Sequence, residues 1–171
     1  MNLFFWRKRN DARPSLDILS WNLMVTATDP DKCWELASQF RKTSVPSNVL
    51  DCETSFLMGS VVRDILRDTV SAEAQRQALM STEAAYYKTF DDQSDEELPP
   101  EMKAVYGDVR LGHVARIALA AYEEQGDSLS LAIPLFVRRI KGDPRMAYEI
   151  APLVEHRRTA LRDAFRSLLS A

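Results

Sequence analysis

The stretch from Asn48 to Asp68, NVLDCETSFLMGSVVRDILRD, sets Leu50, Leu57, Val61 and Ile65 on one line, with Cys52 and Phe56 flanking it. Steps of seven and four residues return a side chain to the same side of a helix of about 3.6 residues per turn. They do not match the alternation of a half-buried strand. The pattern predicts a helix over these residues.

The same period continues outward in both directions. Toward the N-terminus, Leu16, Leu19, Leu23 and Met24 form one stripe with Trp21 nearby, and Cys33, Leu36, Ala37 and Phe40 form another. Asp29-Pro30 marks the start of the second, because aspartate accepts free backbone donors and proline at the first helical position has no donor to lose. Thr43 to Asn48 reads as a turn. Toward the C-terminus, Ser71 caps a stripe through Leu79, Met80, Tyr86, Tyr87 and Phe90. A further helix over 108–125 carries Leu111, Val114, Ala115, Ala118 and Tyr122 and stops at Gly126. Pro134 must lie in the first turn of the next helix or kink it, and Gly142 closes that helix. Asp143-Pro144 then opens a last segment that Pro152 bends or restarts and that ends on Leu161, Phe165, Leu168 and Leu169.

Only five glycines interrupt the 171 residues, too few for phosphate loops or nucleophile elbows. The expectation is an all-α, single-domain helical bundle of about six or seven helices over residues 14–171, preceded by an aromatic and basic segment at 1–13. Residues 91–97 hold five acids in seven positions, and Pro99-Pro100 follows, so 91–100 reads as an acidic exposed linker.

Residues 118–144 carry a family likeness. The string Leu119 to Asp127, LAAYEEQGD, followed by Ala132, Phe136 and Pro144, resembles one tetratricopeptide repeat. The spacing from Tyr122 onward is one residue too long, and Ala115 and Leu119 stand where the repeat has tryptophan and glycine. No second copy follows at that period. The resemblance implies an alternative fold, a short α-solenoid, and peptide binding in a groove around Tyr122 and Phe136.

Charge is unevenly spread. The net charge of -3 divides into +3 over residues 1–13, -10 over 14–137 and +4 over 138–171. Basic ends around an acidic body either steer an anionic partner or complement the body internally. In the last helix Arg158, Arg162 and Arg166, spaced by four with Arg157 alongside, form a basic ridge. A pI near 5.5 and the lack of interleaved aromatics make nucleic acid a poor fit to it. The ridge reads better as a solvated face or a dock for the acidic segment. At the other end, Leu3-Phe4-Phe5-Trp6-Arg7-Lys8-Arg9 joins large apolar side chains to three cations, which suits either a membrane surface or a partner protein. These apolar residues precede the cations, the reverse of a signal peptide, so the cytoplasm is the expected compartment.

Local catalytic signals are few. His113 lies among arginines and His156 adjoins Arg157 and Arg158, so neither has the carboxylate or imidazole spacing of a helical metal site. No serine occupies an elbow, and no cofactor is expected. Asp64 and Asp68 alternate with Arg63 and Arg67, which reads as a solvated helix face. Cys33 and Cys52 sit on successive helices with an offset of about 7 Å along the axis at roughly 1.5 Å per residue, which argues against a disulfide.

The functional expectation is a non-enzymatic module that binds a partner protein through helical surfaces. Its candidate contact residues are Phe4, Phe5, Trp6, Arg7, Lys8, Arg9, Tyr122, Phe136, Arg158, Arg162 and Arg166. Two alternatives stand beside it: a peripheral membrane protein held by residues 3–9, and an enzyme with a dispersed site around Asp64, Glu83, His113 or His156. The apolar stripes are also wide enough for self-association.

Overall fold

Ser15 and Asp29 each start a helix with their own side chains. Ser15 Oγ accepts from the Ile18 amide at 3.4 Å, and Asp29 Oδ1 accepts from that of Lys32 at 3.2 Å. The computed structural model describes residues 14–40, 43–93, 98–124 and 129–171. Among the described residues there are eight helices and no strand: α1 (Leu16–Ala27), α2 (Pro30–Ala37), α3 (Ser47–Thr69), α4 (Ala72–Gln93), α5 (Pro100–Tyr106), α6 (Leu111–Glu124), α7 (Leu129–Arg139) and α8 (Met146–Ser170). The all-helical bundle is the one the periodicity implies, with the two-turn α5 included.

α3 is the centre. Its apolar residues run most of the way round, with Val49, Phe56, Leu57, Met58, Val61, Val62, Ile65 and Leu66 all inaccessible to solvent. It packs against each of the other seven helices. Aromatic rings close the layers around it: Phe56 lies 5.5 Å from Phe90, and Phe40 meets Phe136 edge-on at 5.7 Å.

This arrangement replaces the solenoid alternative. In a repeat array each unit touches its neighbours only. Here α6 and α7 touch lightly, while both pack extensively against α3. Three boundaries are also resolved by the structure. α8 runs unbroken through Pro152, which sits on its exposed side. Pro134 lies inside α7 beyond the first turn. Lys141, not Gly142, takes the left-handed conformation after α7 (φ 52°), and Gly142 donates to the Val137 carbonyl at 2.9 Å. Gly126 lies outside the described residues.

The acidic run is shorter as a linker than 91–100. Asp91 and Asp92 belong to α4, Pro100 opens α5, and 94–97 lie outside the described residues. Asp91 reaches the first turn of α6, where negative charge meets the free backbone donors of a helix N-terminus. Its carboxylate fills the space that a side chain at Gly112 would need. Arg116 Nη2 stands 3.8 Å from it.

Gly59, buried in the middle of α3, is not required there. A Cβ at that position would meet Leu119 and Tyr86 at 3.5 Å, ordinary contact distances. Glycine inside a helix costs about 0.5–1 kcal/mol relative to alanine. Gly59→Ala is therefore expected to raise the melting temperature by about 1–4 °C. A lower melting temperature would show that the α3–α6 spacing depends on the missing methyl.

Candidate functional site

The charged residues of α3 other than Asp51 pair with side chains of other helices. Glu53, 2 % exposed, receives two hydrogen bonds from Arg139 at the end of α7: Nε to Oε2 at 2.5 Å and Nη2 to Oε1 at 2.8 Å. The Tyr106 hydroxyl of α5 donates to Glu53 Oε1 at 3.0 Å. Burial lowers the pKa of Arg139, but the hydrogen bonds and charge of Glu53 outweigh it and leave the guanidinium above its ordinary value. Burial, followed by the charge of Glu53, pushes the Tyr106 hydroxyl far up. The buried Tyr122 hydroxyl has no hydrogen-bond partner among the described residues, and burial together with Glu53 raises it too.

On another side of α3, Arg63 pairs with Glu83 of α4 and Glu123 of α6, and donates to the Leu119 carbonyl at 2.8 Å. Arg67 joins Glu123 at 3.2 Å. From α8, Arg158 pairs with Asp64, with Asp68 at 2.5 Å and with Glu155 at 3.3 Å. Arg157 donates to the Lys32 and Ala27 carbonyls at 2.6 and 3.0 Å, placing a cation at the C-terminal end of α1. Asp64 and Glu83 have pKa values raised by burial, against the opposing pull of their arginines.

These placements revise several sequence-based assignments. Tyr122 and Phe136 are core residues, 3 % and 0 % exposed, and offer no contact surface to a partner. The Asp64–Asp68 face is an interhelical ion-pair seam. Arg158 is bound into it, so the basic ridge is reduced to the half-buried Arg162, which lies 3.6 Å from Asp163, and the exposed Arg166. Asp64 and Glu83 converge on different arginines, while His113 and His156 are exposed. Phe4, Phe5, Trp6, Arg7, Lys8 and Arg9 lie outside the described residues. Cys33 and Cys52 are free thiols, and burial pushes them up to about 11 and about 12, so both stay protonated near neutrality. Among the described residues no three metal-ligating side chains cluster, and no helix is long and apolar enough to cross a membrane.

What the fold leaves open is concave and apolar. Between α7 and α8 lies a groove of about 660 Å³. Ile133 and Val137 form its floor, Ala147 and Ala151 give it room, and Tyr148 stands at its edge, 85 % exposed. Leu131, on the same α7 helix, is 48 % exposed. Pro152 has no N–H to return to the Tyr148 carbonyl, so that acceptor loses its usual intrahelical partner. Arg138 lines the groove, and exposed Lys141 and Arg145 occupy the turn beside it. The sequence signal for this groove was available: Ala147 and Ala151 are one turn apart, with tyrosine rather than a core aliphatic beside the first.

A second cleft of about 370 Å³ lies where α1, α2, α3 and α4 meet. Comparison of the chain with protein-family models, with curated proteins and with solved structures finds no match.

Proposed function

We propose that this protein is a non-enzymatic interaction module whose α7–α8 groove receives an apolar segment of a partner protein. The observation that supports this reading is the combination of an apolar floor with a large, almost fully exposed tyrosine at the rim. Aromatic side chains of this kind anchor interfaces, because they desolvate much area at small conformational cost. Two exposed cations, Lys141 and Arg145, and Arg138 beside them favour a segment with acidic flanks.

Site-specific photocrosslinking tests the proposal. A photoreactive phenylalanine analogue at Tyr148 is expected to give one discrete heterologous product in cells, and the same group at exposed Gln77 of α4 is expected to give none. Ala151→Phe, which fills the groove, should abolish the product while the protein stays folded. Identical products from both positions, persistence in the filled variant, or a product of twice the chain mass would overturn the reading.

A further inference from the structure

The α1–α4 cleft differs in kind from the groove. Three aromatic residues line it: Trp21 from α1, and Tyr86 and Phe90 from α4. Tyr86 and Phe90 are fixed against one another, with perpendicular rings 5.0 Å apart, and Ser55 holds the Tyr86 hydroxyl at 2.9 Å. Two carboxylates share the lining, Asp29 from the α1–α2 corner and Asp51 from α3. Asp29 serves as the cap of α2. Asp51 makes no ion pair or hydrogen bond among the described residues, and no lysine or arginine lines the cleft. Every other acid of α3 is paired with an arginine, a tyrosine or both. Asp51 is half-buried, and that burial raises its carboxyl pKa with no cation to offset it.

A half-buried carboxylate that shares a cleft with three aromatic residues is complementary to one ligand chemistry. We propose that this cleft binds a small organic cation, an amine or quaternary ammonium group on an apolar body, with the cation held by Asp51 and the rings of Trp21, Tyr86 and Phe90. Aromatic π-faces attract such cations, and quaternary ammonium groups especially, because their weak hydration makes desolvation cheap. The volume is at the small end for ligand sites, which suits a compact metabolite-sized molecule. Anions are opposed by both carboxylates. Soft metals are opposed by thiols that remain protonated: Cys33 and Cys52 also line the cleft and contribute polarizable, uncharged surface. Arg157 of α8, whose charge acts on Cys33, is committed to two backbone carbonyls.

The test uses the full chain and three probes: benzyltrimethylammonium, its neutral isostere neopentylbenzene, and phenylacetate. Calorimetry and amide chemical-shift mapping are expected to show saturable binding of the cation, with perturbations confined to residues around Trp21, Asp51 and Phe90. Asp51→Asn is expected to weaken that binding by about tenfold or more while melting no lower than the wild type. Trp21→Leu should weaken it independently. Equal or tighter binding of neopentylbenzene would make the cleft merely apolar and overturn the proposal. Wild-type affinity in Asp51→Asn, or no saturable binding of the cation, would do the same. Perturbations at the α7–α8 groove instead would also refute it, without bearing on the groove's proposed partner.

Discussion

A Glu53→Leu chain is expected to melt roughly 10 °C below the wild type. Breaking a buried ion pair by removing one partner costs about 3–5 kcal/mol, because the remaining charge is left uncompensated. Arg139 keeps some access to water, with its side chain 21 % exposed, which favours the lower end of that range. The Tyr106 hydroxyl loses its closer acceptor as well, with the Val49 carbonyl remaining at 3.4 Å, adding up to about 1 kcal/mol. At about 2–4 °C per kcal/mol for a chain of this size, the shift is near 10 °C. The compensating double variant Glu53→Leu, Arg139→Met removes the orphaned charge and is expected to recover most of the loss. Thermal melts of the two single variants and the double variant, by circular dichroism, check this. A Glu53→Leu variant within about 2 °C of wild type would mean that Arg139 swings fully into solvent at little cost.

Phe136→Ala costs about 3–5 kcal/mol, the range for emptying a fully buried aromatic site. Phe136 has no exposed surface, and its ring abuts Phe40 across the α2–α7 side of α3. Truncation leaves a void bounded by helices that α3 holds apart, so collapse recovers little. Urea denaturation should show a lower midpoint with an unchanged slope. An unchanged midpoint would return Phe136 to the role that its repeat-like spacing suggests, a side chain facing a partner.

The contrast between these two residues shows what one-dimensional patterns carry. Local chemistry was readable: Asp29-Pro30 starts a helix because both residues act within one turn of themselves. The inward line Leu50, Leu57, Val61, Ile65 was readable because period alone identifies a buried stripe. Period does not say what covers the stripe, so Tyr122 and Phe136 were equally consistent with a groove and a core. Arg158 shows the same limit for charge. Its four-residue spacing from Arg162 and Arg166 defines a ridge on α8, but its partners Asp64 and Asp68 lie some ninety residues away in sequence. Glu53 left a trace that composition obscured: it sits one turn after Val49 and one before Leu57, a carboxylate on an apolar line. An acid in that position requires a buried partner. Asp51 left no trace, because its significance lies in the absence of a lysine or arginine among the described residues that line the cleft.

The position of α3 has a consequence for how the chain can be divided. The sequence offers a seam at the acidic run, with four helices before it and four after. Yet among the described residues the one helix that touches all the others, α3, lies in the first half. Expressed as separate polypeptides, residues 14–93 would carry their own scaffold. Residues 98–171 would hold apolar faces with nothing to cover them, and would acquire structure only by assembling onto the first piece. The seam therefore divides a template from a dependent half, and the intact chain is expected to gain and lose its structure as one cooperative unit.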